Sequence, residues 1–158
     1  MARISRAQYE ANKQKLDDHI WELFKTEGWE AVTYSRLAKF MGTRKSTIQG
    51  YYPSSAHFLE GIEGRGFPEM LPLLDMSSPE AFLDSFAEGI KLPLFRNVFE
   101  LFVLDGVQGI SGTHAKKILA NMKKMGKHYF GMDEQEAEHM YKMIIGTALA
   151  SIIESDSI

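Results

Sequence analysis

The sequence predicts an all-α protein in two parts. Apolar residues recur three and four apart along nearly the whole chain, and helix-starting residues alternate with glycine or proline stops at helix-length intervals. No run shows the sustained period-two alternation of a strand. With 158 residues, 44% hydrophobic and 25% charged, the chain is long and apolar enough to bury a core and does not have the composition of a disordered one.

The elements follow in order. Ser5 with Gln8 three residues on forms a capping box, and Ile4 with Tyr9 fits a hydrophobic staple. The stripe Tyr9, Leu16, Ile20, Leu23 and Phe24 then predicts a helix over about 6–26, stopped by Gly28. Thr33 is the N-cap of a short helix over 34–40, with Leu37, Ala38 and Met41 inward, and Gly42 ends it. A third short helix spans 44–51 with Ile48 inward, and Pro53 stops it. Gly61, Gly64, Gly66, Pro68, Pro72 and Pro79 crowd the next stretch, which marks the junction between the two parts. Ser78-Pro79-Glu80 starts a helix through Phe82, Phe86 and Ile90. After a break at Pro93 comes the apolar run Phe95, Val98, Phe99, Phe102 and Val103, then a loop over 106–112. Ala115, Ile118, Leu119, Met122, Met125 and Tyr129 line another helix, and Asp133 caps a last one over 134–154.

Charge is unevenly spread over a net of −3. Residues 1–59 hold nine Lys/Arg against six Asp/Glu, and 31–59 hold four bases and no acid. A basic front third suits a polyanionic partner. Within it, two short helices joined by a tight glycine turn form a helix-turn-helix, which sets the start of its second helix against base edges in a major groove. Lys45, Ser46, Thr47 and Gln49 lie on or near the exposed side of that helix. Lysine reaches the O6/N7 edge of guanine and glutamine makes a bidentate contact to adenine. The helix starts at Thr33-Tyr34 and Arg44-Lys45 offer free N–H groups to phosphate.

The run Gly28-Trp29-Glu30-Ala31, Thr33, Leu37-Ala38, Gly42, Thr47-Ile48, Tyr51-Tyr52-Pro53-Ser54, Phe58-Leu59 resembles the DNA-binding domain of the TetR/AcrR repressor family, in register over about the first 60 residues. The resemblance implies an all-α fold: a three-helix N-terminal helix-turn-helix DNA-binding domain, 1–53, and a helical C-terminal domain for dimerisation and effector binding, 54–158. It implies phosphate or base-edge contacts at Thr33 and Tyr51 and reading positions at Ser35, Lys45, Ser46 and Thr47; Tyr34, Arg44 and Gln49, read above from the helix starts and the exposed side, complete the DNA-binding set. Arg3 and Arg6 stand where a flexible arm would meet DNA. Two residues depart from the pattern. Gln49 replaces a tyrosine that braces the phosphate backbone, and Ser55 replaces a lysine, which lowers the salt slope of binding by about one charge.

The last helix is apolar nearly all round, so one side must face its own domain and another needs a second chain. Tyr141, Ile145, Ala148, Leu149 and Ile152 are the expected interface of a two-fold homodimer, and the dimer in turn predicts a palindromic duplex operator. The resemblance implies that the second domain senses a small apolar ligand. Phe82, Phe86, Phe95, Phe99, Phe102, Met122 and Met125, with Met70, Leu71 and Leu74, are the residues that would line its pocket, or else are plain core.

Other chemistry finds little footing. With no cysteine there are no disulfides, thiolate metal sites or cysteine nucleophiles, and a reducing, cytoplasmic setting is the simpler reading. Met1 to Ser5 lack the apolar core of a secretory leader, and the stretch 143–153 is too short to span a bilayer. Glu136-x-x-His139 is a single copy of a di-iron ligand unit that needs two, and the run Lys116, Lys117, Lys123, Lys124, Lys127 reads as a solvated face. No P-loop, nucleophile elbow or carboxylate dyad is present, so neither an enzyme nor a cofactor is expected. The expected function is a dimeric, sequence-specific DNA-binding regulator, a repressor released by a small apolar ligand. The alternative is a helical protein–protein adaptor that keeps the fold without binding an operator.

Overall fold

The computed structural model describes residues 3–155; Met1 and Ala2, on which part of the leader reading rests, lie outside them. Among the described residues every regular element is helical. The chain divides into two compact units, Met1–Arg65 and Gly66–Ile158.

In the first unit, α1 (Arg6–Glu27) starts at Ser5, whose hydroxyl accepts the Gln8 N–H. The box does not close: the Gln8 amide donates to Asn12 instead, one turn along the helix. The Tyr9 ring stacks on Tyr51, 4.6 Å between centroids, and Ile4 is half exposed. Gly28, at φ 93°, ends α1 and leads through a 3₁₀ turn, Trp29–Ala31, into α2 (Tyr34–Met41). Thr33 caps α2 by accepting the Arg36 N–H, and Gly42 closes it in the left-handed region at φ 65°, ψ 39°. After two intervening residues, Thr43 and Arg44, α3 (Lys45–Tyr51) begins.

This unit runs to Arg65 rather than ending at residue 53 because the 3₁₀ segment Ser55–Gly61 packs on α1. Phe58, Leu59 and Ile62 are buried there. A Cβ on Gly61 would stand 2.9 Å from both the Ile20 side chain and the Asp17 carbonyl, so only glycine fits. Phe58 is tilted against both Tyr34 and Tyr52, tying the segment to α2 and to the end of α3.

The second unit begins with α4 (Gly66–Met70) and a 3₁₀ turn, Leu71–Leu73, followed by α5 (Pro79–Gly89), α6 (Pro93–Gln108), α7 (His114–Phe130) and α8 (Glu134–Ser155). Ser78 and Asp133 cap α5 and α8 by accepting the N–H groups of Ala81 and Glu136. The core is a cluster of Phe82, Phe86, Phe95, Phe99 and Phe102 with Ile90, Ala115, Met140, Ile144 and Ala148. The Phe95 ring lies on bare backbone: a Cβ on Gly89 would stand 2.5–2.9 Å from it.

The expected loop over 106–112 is shorter than its glycines suggest. Helix α6 continues through Gly106 to Gln108, and Gly109 ends it at φ 74°. Gly106 therefore lies within the helix instead of in a turn, facing Ala115, whose Cβ a Cβ at 106 would meet at an ordinary 3.5 Å. The remaining loop is held by Asp105, which is buried on α6. Its carboxylate accepts the Ser111 N–H at 2.7 Å, the Ser111 hydroxyl at 3.1 Å and the Ala115 N–H at 2.9 Å. One carboxylate thereby closes the loop and serves an open N–H in the first turn of α7. Burial pushes its pKa up, but the N–H donors outweigh burial and hold it below the usual carboxylate range.

Candidate nucleic-acid interface

Helix α3 is held from below. Ile48 is fully buried, and Tyr51 is buried between α3 and α1. The Tyr51 hydroxyl accepts a hydrogen bond from Asn12 at 3.0 Å, while Asn12 in turn accepts one from Gln8. Tyr51 therefore points inward and braces α3, where the resemblance had implied a phosphate or base-edge contact. Tyr34 is likewise committed, its hydroxyl donating to the Tyr52 carbonyl at 2.7 Å.

Beneath them lies a polar joint. The Tyr52 ring is fully buried and its hydroxyl donates to Asp17 at 2.6 Å. Lys13 sits 4.6 Å over that ring and bridges Asp17 at 2.9 Å and Glu60 at 2.8 Å. Burial drives the Tyr52 pKa upward and the Asp17 carboxylate adds to it, so the hydroxyl remains a donor. Burial acts to lower the Lys13 pKa, but its bonds to Glu60 and Asp17 outweigh burial and raise it. Lys13 and Asp17 are one helical turn apart, but the spacing gives no sign of Tyr52 and Glu60, which reach them across 35 and 47 positions of chain.

The outward side of α3 is different. Lys45, Ser46, Thr47 and Gln49 are exposed and make no side-chain hydrogen bond or ion pair with the described residues. Arg44, the N-cap position, is exposed and unpaired as well, as is Lys39 on α2. Ser35 is exposed at the start of α2, and Thr33 is exposed with its oxygen engaged in the cap. The acid-free basic surface expected over 31–59 is modified at one point. Arg36 is held by Glu27 through two hydrogen bonds of 2.8 Å, and the same bonds raise the Arg36 pKa and lower that of Glu27. Arg36 is therefore neutralised from α1, and Lys39, Arg44 and Lys45 are the cations left open. Alongside, His19 of α1 lies flat on Phe40 of α2, 3.7 Å between centroids, and burial followed by the Arg36 charge lowers its pKa.

In the second unit the expected dimer residues share one side of α8, but that side turns largely into the unit's own core. Ala148 is fully buried, and Ile145 and Ile152 pack against the unit's own core. Tyr141 is partly buried, with Lys123 6.0 Å over its ring, and Leu149 is exposed. The reason is helical phase: Ala137, Met140, Ile144 and Ala148 turn inward, which leaves Met143, Gly146, Ala150 and Ile153 on the outside with Leu149 beside them. Met143 and Leu149 are 45% and 44% exposed, large apolar side chains on the outer side of α8. The expected ligand-lining residues are brought together, but against one another: Phe82, Phe86, Phe95, Phe99 and Phe102 form the core itself, and Met122 and Met125 border it. The lysine run is partly neutralised, since Glu134 receives both Lys123 and Lys127. Among the described residues no group of three or more His, Cys, Asp or Glu could hold a metal ion, and no helix is long and apolar enough to cross a membrane.

No family model matches the chain, and no curated protein matches its sequence.

Proposed function

We propose that the protein is a dimeric, sequence-specific DNA-binding regulator of the helix-turn-helix type, acting as a repressor. The observation that carries the reading is the outward side of α3. Lys45, Ser46, Thr47 and Gln49 stand exposed with their donors and acceptors unpartnered, on a helix braced from below by Tyr51 and Ile48. Polar side chains that a fold leaves unused on a rigid element suit recognition of another polar surface. The nearby open cations Lys39 and Arg44 suit phosphate.

The dimer is part of the same proposal. The exposed side of α8 with Met143, Gly146, Leu149 and Ala150 supports it; of the residues expected from sequence only Leu149 lies there exposed. A two-fold pair reads a palindromic duplex with half-sites about 34–36 Å apart, or a multiple of that. An apolar effector would enter beside Met122 and Met125, the adaptable side chains at the edge of the phenylalanine cluster.

Selection of sites from a randomised duplex pool, at two salt concentrations, tests the reading. The expected result is a palindromic consensus whose binding weakens steeply with salt. Lys45→Ala is expected to weaken binding by about 1–3 kcal/mol and relax preference at one position. Leu149→Glu is expected to shift the sedimentation of the protein from dimer to monomer. Failure to enrich any duplex at low salt overturns the reading.

A further inference from the structure

Gly50 is the residue of α3 that the fold does not explain. Glycine inside a helix is unfavourable relative to alanine, so it is normally retained for a left-handed backbone or for close packing. Neither applies here. The glycines with positive φ do not include Gly50. A Cβ built on it meets nothing within 4 Å, in contrast to Gly61 and Gly89, where a Cβ would collide.

Its position supplies a reason. At 3.6 residues per turn, Gly50 lies opposite the buried Ile48 and one turn beyond Ser46, so the two share the crest of α3. Lys45 and Gln49 flank that crest on one side and Thr47 on the other. The Ser46 hydroxyl reaches only a short way from its backbone. For it to touch a base edge, α3 must settle deep into the groove, and any side chain at position 50, one turn along the same crest, would stand in that approach, a methyl less than a longer chain. The major groove, about 12 Å wide, only just admits a helix about 10–12 Å across with its side chains.

We propose that Gly50 is a clearance residue of the DNA-reading face, whose missing side chain lets α3 approach the groove floor closely enough for Ser46 and Gln49 to read bases. This rests on the DNA reading proposed above, so the test is built to separate the two. Wild type, Gly50→Ala and Gly50→Leu are compared in thermal midpoint and in affinity for a duplex that wild type enriches from a randomised pool.

Gly50→Ala is expected to raise the midpoint by about 2–4 °C, as a better helix former with room for its methyl. The same variant is expected to lose about tenfold in affinity, the equivalent of one weakened base contact, and Gly50→Leu more. A purely structural glycine cannot move stability and binding in opposite directions. If Gly50→Ala binds as tightly as wild type, or is less stable than it, the clearance role is overturned while the DNA reading stands. If wild type itself enriches no duplex and binds none at low salt, the DNA reading fails and the clearance role with it.

Discussion

The two units are held together by different chemistry. In the first, side chains on distant stretches meet through directed polar contacts: Asn12 on Tyr51, Asp17 on Tyr52, Lys13 between Asp17 and Glu60, Glu27 on Arg36. In the second, the elements converge on five phenylalanines with rings about 6 Å from their neighbours, and one carboxylate, Asp105, works at the edge. The difference matters for precision. A hydrogen bond fixes distance and angle, whereas apolar rings tolerate small slides. The unit that carries the candidate reading helix is the one whose helices are pinned by directed contacts.

The strongest way to break the contrast is Phe95→Ala. The ring is nearly fully buried against Gly89 and Phe86, so removing it takes away apolar burial and leaves a cavity, at a cost of about 3–5 kcal/mol. Both tryptophans, Trp21 and Trp29, lie in the first unit. Thermal unfolding followed by far-ultraviolet circular dichroism should therefore shift more than unfolding followed by tryptophan fluorescence.

Asp105→Ala comes next, since it strands the N–H groups of Ser111 and Ala115 near the core; the expected loss is about 3 kcal/mol. The direction with pH follows from its lowered pKa. In the unfolded chain the carboxyl titrates near its ordinary value of about 3.9, and in the folded chain below it. Its contribution is complete above the unfolded value and disappears as pH falls through the folded one. Denaturation curves taken between neutral and acid pH should show that loss in wild type and a flatter acid limb in Asp105→Asn.

How much of this was legible in sequence depends on distance along the chain. The helix starts at Ser5, Thr33, Ser78 and Asp133 were readable because a cap bonds to an N–H only three residues away. The stop at Gly42 was readable because a left-handed residue after an apolar run favours glycine. At 106–112 the same signal misleads: several glycines could stop α6, and only the left-handed backbone of Gly109 shows which of them does. The contacts of the Asp105 carboxylate and the Tyr52 hydroxyl were not legible, because Ala115 and Asp17 lie 10 and 35 residues away. At the candidate site, Lys45, Ser46, Thr47 and Gln49 were placed outward by helical period alone. The inward turn of Tyr51 depends on Tyr9 and Asn12 and needed the structure.

Tyr52→Phe sharpens the comparison from the other side. It keeps the ring beneath Lys13 and removes only the hydroxyl that donates to Asp17. The expected loss is about 1.5 kcal/mol, because Asp17 keeps its bond to Lys13. Here the order of the two probes should reverse, with tryptophan fluorescence moving at least as far as circular dichroism.

The smallest effect is expected at Glu134, the second unit's own polar contact. Hydrogen bonds from Lys123 and Lys127 hold its carboxyl down at about 2, and the charges of the same two lysines add to this. A lowered folded pKa means that the contribution is present above the ordinary carboxyl range and is lost as pH falls toward 2. The group is fully exposed, however, so water and salt weaken the attraction, and exposed ion pairs contribute little to folding. Glu134→Gln should therefore leave the thermal midpoint nearly unchanged at physiological salt. A carboxyl titration followed by nuclear magnetic resonance should nevertheless show the depressed midpoint in wild type, moving back toward the ordinary value in Lys123→Ala and as salt is raised. A large drop in stability for Glu134→Gln would mean that a surface ion pair holds α7 to α8, and the contrast between a unit pinned by polar contacts and one packed on rings would lose its basis.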